Sequence, residues 1–252
     1  MQHEFFPGLK LWSSNSNLIE EAEKLVISGL FSYIELNPIP GTSIEPFLEK
    51  DVPFIIHATT ERYSVNIANP ELREYNIACI SRSLDWADQL GAQYVILHPG
   101  FGHIEDAIHF LSYIDDPRVV IENMPKVGIN GEQMIGYSPE QINELKGEKF
   151  GFCFDLNHAI KAAISEKIDY RANILRFFGM NPDMFHLADG RISHETDEHL
   201  GFGEGDYDVR FLLRSIVESV PFEKRYITFE TPRKGSSLSD DIKNIRYIED
   251  LI

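Results

Sequence analysis

The sequence has few cysteines and no long apolar run. Among its 252 residues only Cys79 and Cys153 are cysteines, too few for a disulfide framework, so we expect a cytoplasmic protein with reduced thiols. No apolar stretch approaches the ~20 residues that a membrane-spanning helix needs, and no membrane partner is expected. The first residues, MQHEFFPGLK, lack the basic and apolar segments of a signal peptide.

Positive charge is also scarce. Lys and Arg number 23 against 40 Asp and Glu, which gives a formal net charge of −17. A surface of this sign repels a polyanion unless positive charge is concentrated at the contact. Bound divalent cations would offset part of the charge. The composition therefore argues against promiscuous binding of nucleic acid.

Strand and helix patterns alternate along the whole chain. Most predicted strands are continuously apolar, as in parallel sheets covered on both faces. The strands are predicted at residues 8–12, 32–36, 53–57, 93–98, 118–122, 150–155, 183–187 and 225–230. The helices are predicted at 16–29, 42–50, 69–90, 103–114, 138–146, 158–179, 206–219 and 237–251, with signs of a break in 158–179. Eight such pairs predict an α/β fold, a (β/α)₈ TIM barrel forming a single domain over residues 1–252.

A doubly wound open sheet is the main alternative fold. Such sheets carry a glycine-rich phosphate-binding loop after the first strand. Here that strand runs into LWSSNSN, which has no glycine. The barrel is therefore preferred.

Residues of metal-ligand type follow the predicted strands. The C-terminal ends of all barrel strands open on one face, so residues distant in sequence converge there. The relevant runs are FIIH, YVILHPG, VVIEN, FCFDLNH, MFHLADG and YITFE. With the loop TDEH they supply nine candidate ligands: His57, His98, Glu122, Asp155, His158, His186, Asp197, His199 and Glu230. One zinc ion is satisfied by four ligands, or by three and a water, so nine predict a multinuclear site.

Each signal also has an ordinary structural explanation. Asp155 could cap the following helix, and His98 could stabilise its Pro-Gly turn. Asp197 and His199 could belong to a solvated acidic loop. A carboxylate such as Glu122 after three apolar residues is costly if it is buried without a partner, which favours a ligand. Together the nine residues favour one shared site.

Several other residues are assigned supporting or unrelated roles. Glu35 and Asp189 are expected to orient ligating imidazoles, and Cys153 is expected to be a small core residue. The remaining histidines follow no strand and are assigned to the surface or to helices: His3, His103, His109 and His194.

The motifs HPG, IEN, GFCFDLNHA, FHLADG, DEHLGFGEG and FETP occur in this order. They resemble endonuclease IV, the zinc-dependent apurinic/apyrimidinic endonucleases, a family within the xylose-isomerase-like barrels. The resemblance covers about residues 53–232, and all nine ligand positions of the family motif are filled. It implies three zinc ions, with Mn²⁺ as the second choice for an imidazole-rich set.

The resemblance also implies how the ligands are shared. His57 and His98 would hold the first ion, which Glu122 would bridge to the second. The second ion would be completed by Asp155, His186 and Glu230, and the third held by His158, Asp197 and His199.

The implied reaction is cleavage of DNA at abasic sites. A hydroxide between the bridged ions would attack phosphorus, and the third ion would take up charge on the leaving oxygen. The aromatic residues expected to stack on the opened duplex are Tyr63, Phe101 and Tyr207. The candidate phosphate contacts are Arg62, Lys161, Lys167, Arg171, Arg191, Arg233 and Lys234.

The alternative function is a sugar or sugar-phosphate isomerase or epimerase of the same superfamily. It would hold a divalent metal through Asp155, His186, Glu122 and Glu230, with the two glutamates doubling as catalytic acid/base groups. Residues 187–208 contain seven acids and one base, which suits a small sugar or phosphodiester better than damaged DNA. The five additional ligands favour the hydrolase. A barrel that binds metal or ligand without turnover is a third possibility.

Overall fold

The computed structural model describes residues 5–251. Eight parallel strands close into a barrel in chain order, and β1 pairs with both β2 and β8. The strands are β1 (Phe6–Trp12), β2 (Tyr33–Asn37), β3 (Phe54–His57), β4 (Val95–Leu97), β5 (Val119–Glu122), β6 (Gly151–Asp155), β7 (Met184–Leu187) and β8 (Tyr226–Phe229). The predicted (β/α)₈ TIM barrel is confirmed.

Helices connect the strands on the outside of the barrel. They are α1 (Ile19–Ile27), α2 (Glu45–Leu48), α3 (Arg73–Leu90), α4 (Ile104–Leu111), α5 (Pro139–Lys146), α6 (Leu156–Glu166), α7 (Tyr170–Phe178), α8 (Val209–Ser219) and α9 (Ser239–Leu251). Short 3₁₀ helices occupy Ser13–Leu18, Glu61–Tyr63, Pro70–Leu72 and Phe222–Lys224. Within residues 5–251, no helix is both long and apolar enough to cross a bilayer.

Two helix predictions need correction. The helix expected at 158–179 is two helices, as its break signals indicated: Lys167 ends α6 in the left-handed conformation, with a φ of 58°, and Asp169 caps α7. The helix expected at 42–50 is the single turn α2. The backbone N–H and the hydroxyl of Thr42 both donate to Ile39 O. Residues 39–42 therefore form a turn, and the helix begins only at Glu45.

The barrel interior changes from apolar to polar along the strands. Alternate residues of a strand point to the same face. The lower interior layer contains Tyr33, Ile55, Ile96, Val120, Cys153 and Met184, packed as one cluster. Two residues further along the same strands, the buried side chains are Glu35, His57, Glu122, Asp155 and His186. This spacing forms a polar site on an apolar floor.

A tyrosine in the lower layer supports the polar layer above it. The Tyr33 ring crosses the space above Gly8, where a Cβ would lie 2.3 Å from the ring carbon Cζ. The Tyr33 hydroxyl donates to Thr228 Oγ1 at 2.8 Å, and Thr228 donates in turn to Glu35 Oε2 at 2.5 Å. Gly8 thus leaves room for a hydrogen-bond chain that holds Glu35 in place.

Candidate metal centre

The nine predicted ligands converge at the C-terminal mouth of the barrel. Carboxylate–imidazole contacts of 3.9 Å or less join all of them into one network. Their convergence follows from the parallel strands, because each residue lies at the C-terminal end of a strand, in the loop after one or, for His158, in the first turn of the helix after one.

Glu122 lies at the centre of this network. Its Oε2 is 3.2 Å from His57 Nε2 and 3.1 Å from His98 Nε2. Its Oε1 is 3.4 Å from His158 Nδ1 and 3.2 Å from His186 Nδ1. The His158 Nδ1–H donates to Asn123 O, so His186 is the imidazole with a nitrogen available on the Oε1 side. A carboxylate whose two oxygens face different imidazoles has the arrangement needed to bridge two metal ions.

Three of the histidines have one ring nitrogen fixed by a group outside the centre. Nδ1–H donates to Ala58 O in His57 and to Asn123 O in His158, both at 2.9 Å. His98 Nδ1 lies 2.9 Å from Glu61 Oε2. In each case Nε2 is left facing a carboxylate of the network. Such outer partners fix the tautomer and orientation of metal-ligating imidazoles.

His186 is oriented the other way round. Its Nε2 is 2.9 Å from Glu35 Oε2, so Nδ1 faces Glu122 and, at 3.4 Å, Glu230. Glu35 therefore lies where the sequence prediction placed it, on the outer nitrogen of an imidazole. Burial acts to raise the pKa of Glu35, but His186 and Lys10 outweigh it and hold the pKa at about 2.

On the loop side of the centre, Asp155, His158 and His199 form a cluster whose ligand-type atoms lie within 4.8 Å of one another. Asp155 Oδ1 caps α6 by accepting the His158 backbone N–H at 2.6 Å. Its Oδ2 is buried and accepts no hydrogen bond from the described residues. His199 Nε2 is likewise without a hydrogen bond, although it lies 2.7 Å from Asp197 Oδ2. Buried polar atoms normally make hydrogen bonds, so two ligand-type atoms that make none within residues 5–251 fit a bound cation.

The sequence analysis did not predict that Lys10 and Glu61 contact residues of the candidate centre. Lys10 points into the barrel from β1, with its amine 2.5 Å from Glu35 Oε1 and in contact with Glu230. The available signal was a single charge inside the apolar strand FPGLKLW. Glu61 lies in the 3₁₀ turn after β3, and no local pattern marks it as the partner of His98.

The expected role of Asp189 is wrong. Its carboxylate accepts the backbone N–H groups of Gly190, Gly203 and Gly205 at 2.8–3.0 Å, and no described imidazole contacts it. The loop after β7 folds back over Asp189, which therefore organises the loop that carries two predicted ligands.

One of the three aromatic predictions is also wrong. Tyr207 is only 7% exposed, and its ring fills the space beside Gly190, so it cannot stack on a base. Tyr63 and Phe101 do line the cavity above the centre.

Most candidate phosphate contacts are engaged elsewhere. Lys161 is fully buried and its amine donates to Arg191 O, His194 O and the carboxylate of Glu198. Lys167 ends α6, and Arg191 pairs with Glu198. The other ion pairs are Arg171–Asp208, Arg233–Asp241 and Lys234–Glu204. Arg62 alone of these seven candidates has no ion pair or cap role within residues 5–251.

The remaining assignments agree with the structure where it can be described. Cys153 is fully buried in the barrel interior, as predicted, with Sγ within 4.8 Å of ligand atoms of Glu122 and His186. His103, His109 and His194 are exposed. His3 lies outside the described residues.

A cavity of about 1180 Å³ opens above the centre. Its wall includes six of the nine predicted ligands: His57, His98, His158, Asp197, His199 and Glu230. The wall also carries Lys10, Trp12, Asn37, Arg62 and Arg233. The candidate ligands therefore face a space that a substrate can enter.

Known proteins resemble the chain in sequence and in fold. The family model for the xylose isomerase-like TIM barrel matches residues 45–250. A probable endonuclease 4 of Mycoplasmopsis synoviae is 28% identical over 74% of this chain and 73% of its own length. This similarity confirms the resemblance to endonuclease IV.

Two solved structures are similar in fold. Endonuclease IV from Thermus thermophilus superposes with a TM-score of 0.72 and 22% identity, over 97% of this chain and 98% of its own. A D-tagatose 3-epimerase-like protein gives 0.73 and 18% identity, over 96% of both chains. The chain belongs to the xylose isomerase-like TIM barrel family.

Proposed function

We propose that this protein is a zinc-dependent phosphodiester hydrolase of the endonuclease IV type, which cleaves DNA at abasic sites. The position of Glu122 carries the proposal, because one of its oxygens faces His57 and His98 and the other faces His186. Such a carboxylate suits a centre with more than one metal ion. Retention of all nine candidate ligands favours hydrolysis over a reaction that needs one ion.

The chain's own residues would fix the centre before substrate arrives. Zinc, when bound, supplies acidification of water and neutralisation of charge at phosphorus. His57 and His98 present Nε2 atoms to one side of Glu122, with His186 on the other. Glu35 and Glu61 keep two of these rings from rotating. In the arrangement that the resemblance implies, Asp155, His186 and Glu230 would complete the second position. His158, Asp197 and His199 would form the third.

The acidic loop after β7 opposes DNA less than its composition implies. Glu198 accepts hydrogen bonds from Lys161, Arg191 and His194. Asp208 pairs with Arg171, Glu204 pairs with Lys234, and Asp206 accepts the Ile192 N–H. Because these charges are compensated within the protein, a phosphate backbone would meet fewer free carboxylates.

The test is cleavage of a duplex oligonucleotide with a single abasic site by zinc-loaded protein, alongside metal analysis. We expect nicking at the abasic site and up to three metal ions per chain. Glu230→Ala controls for contaminating nucleases and is expected to be inactive. One ion per chain in fully loaded protein, or equal nicking by the variant, contradicts the proposal.

The second candidate is a sugar or sugar-phosphate epimerase or isomerase with one divalent metal. Its support is the uncharged polar part of the cavity wall. Asn15, Asn17 and Asn37 line the cavity, and amides suit the hydroxyls of a sugar. Incorporation of solvent deuterium into a ketose, with one bound metal and no nicking, would favour this function.

A further inference from the structure

Two side chains on the cavity wall have no role in the proposed centre. Trp12, the last residue of β1, is 40% exposed, and the guanidinium carbon of Arg62 lies 5.4 Å from its ring centroid. Both residues line the cavity. An arginine held against an aromatic face is positioned by the ring while its N–H groups stay available as donors.

Arg62 is also the basic residue of the wall whose charge is not compensated. Lys10 is paired with Glu35 and Glu230, and Arg233 is paired with Asp241. Within residues 5–251, Arg62 makes no ion pair and no side-chain hydrogen bond, only the contact with Trp12. The cavity therefore presents one free guanidinium.

The backbone around Arg62 is tied to the candidate centre. Arg62 is the middle residue of the 3₁₀ turn Glu61–Tyr63. Before it, Glu61 holds His98 Nδ1 at 2.9 Å. After it, the carbonyl of Tyr63 accepts the Tyr75 hydroxyl at 2.7 Å. Contacts on both sides thus fix the backbone of Arg62 relative to the predicted ligands, and Trp12 holds its side chain.

We propose that Arg62, supported by Trp12, binds a phosphate group of the substrate at the cavity wall. A guanidinium matches two phosphate oxygens with two parallel N–H donors, whereas an uncharged sugar gives it no such partner. The inference rests on the proposed phosphodiester hydrolase and deepens it, because it assigns the substrate a phosphate beyond those held by metal.

The test uses the fluorescence of Trp12 in zinc-loaded protein. All variants carry Trp86→Phe, which removes the other tryptophan, a buried residue away from the cavity. The probes are the abasic duplex and inorganic phosphate. Arg62→Ala is expected to weaken duplex binding roughly tenfold and to lower the slope of log affinity against log salt by about one.

Arg82→Ala is the matched control. Arg82 also lies on an aromatic ring, 5.1 Å from the ring centroid of Trp86, a position that is phenylalanine in every variant, and it does not line the cavity. We expect this variant to bind both probes as its parent does. If Trp86→Phe does not fold, the native chain is used and the signal of a Trp12→Phe variant is subtracted.

The outcomes separate this inference from the proposed function. Arg62-dependent binding without nicking keeps the phosphate subsite and rejects the nuclease. Nicking with an unchanged KM and salt slope in Arg62→Ala keeps the nuclease and overturns the subsite. If the duplex is neither bound nor nicked, Arg62-dependent quenching by inorganic phosphate supports a subsite for a small phosphate compound, and no such quenching overturns it.

Discussion

Glu35 Oε2 lies 2.9 Å from Nε2 of His186, on the side of the ring away from Glu122. This contact makes Nδ1 of His186 the nitrogen that faces the candidate centre. Replacing Glu35 by glutamine removes the charge that holds the ring. We expect zinc affinity to fall about 10–100-fold, the usual effect of losing such an outer partner, as measured by competition with a chelator. Glu45→Gln, on the exposed side of α2, is the control; equal affinities in the two variants would contradict the prediction.

Lys161 is expected to maintain the loop that carries Asp197 and His199. Its buried amine binds two carbonyls of this loop and the carboxylate of Glu198. Lys161→Met leaves that carboxylate without its buried cation, so we expect the free energy of unfolding to fall by about 3 kcal/mol. Urea denaturation of chelator-treated protein measures it.

A double variant checks the physical reason. Glu198→Gln removes the carboxylate charge that loses its buried cation in Lys161→Met, so the combination should lose less stability than the two single changes added together. Strict additivity would show that the two side chains do not act as a pair. Metal analysis of Lys161→Met should also show fewer ions per chain. The lysine holds the loop that carries Asp197 and His199, two candidate ligands of the third ion.

The barrel and the candidate ligands were predictable because their signals are local. Parallel strands covered on both faces are continuous apolar runs, and a charged or imidazole side chain at the end of such a run stands out, as Glu122 does after VVI. The closed parallel barrel then brings these ends together without any further information from the sequence.

The loops were less predictable because their contacts are set by the tertiary fold. Tyr207 resembles an exposed aromatic in a polar loop, but it packs against Gly190 across a turn of the chain. Asp189 resembles a partner for His186, but backbone amides of its own loop saturate it. No local pattern around Lys10 marks Glu230 as its partner, because the two residues lie 220 positions apart and β1 and β8 meet only when the barrel closes.

Zinc binding should strengthen as pH rises. Burial acts to lower the pKa of His98, but Glu61 and Glu122 raise it to about 10 in the metal-free protein. Zinc must then displace a proton from this imidazole, so affinity should increase up to tenfold per pH unit between pH 6.5 and 9 for each displaced proton. Proton release measured by calorimetry in buffers of different ionisation enthalpy tests this. No net release at pH 7 would mean that His98 binds zinc already neutral or does not bind it.

The same pKa shift sets a stability dependence with the opposite direction. The folded pKa of His98 lies above its unfolded value of 6.5, so its contribution to the stability of metal-free protein is complete below pH 6.5. It is lost as pH rises through about 10. The difference in unfolding free energy between wild type and His98→Gln should therefore shrink on going from pH 6 to pH 10. A constant difference over that range would contradict the shifted pKa.

Lys10 is expected to limit the affinity of the metal position that Glu230 completes. Its amine contacts Glu230 and Glu35, so it neutralises in the metal-free protein the charge that a cation would otherwise meet. Two positive charges a few ångströms apart repel by several kcal/mol at an effective dielectric constant near 20. Lys10→Met should therefore raise zinc affinity by at least about tenfold, measured by chelator competition, although the metal-free variant should be less stable because both carboxylates lose their partner.

The control for Lys10 is Lys224→Met. Lys224 pairs with Asp183 at 2.7 Å, just before β7 begins and therefore at the opposite end of the barrel from the candidate centre. Its loss should leave zinc affinity unchanged. Weaker zinc binding in Lys10→Met than in this control would mean that the lysine holds Glu230 in a ligating orientation rather than competing for it. The sign of the effect thus separates a lysine that competes with metal from one that prepares the site for it.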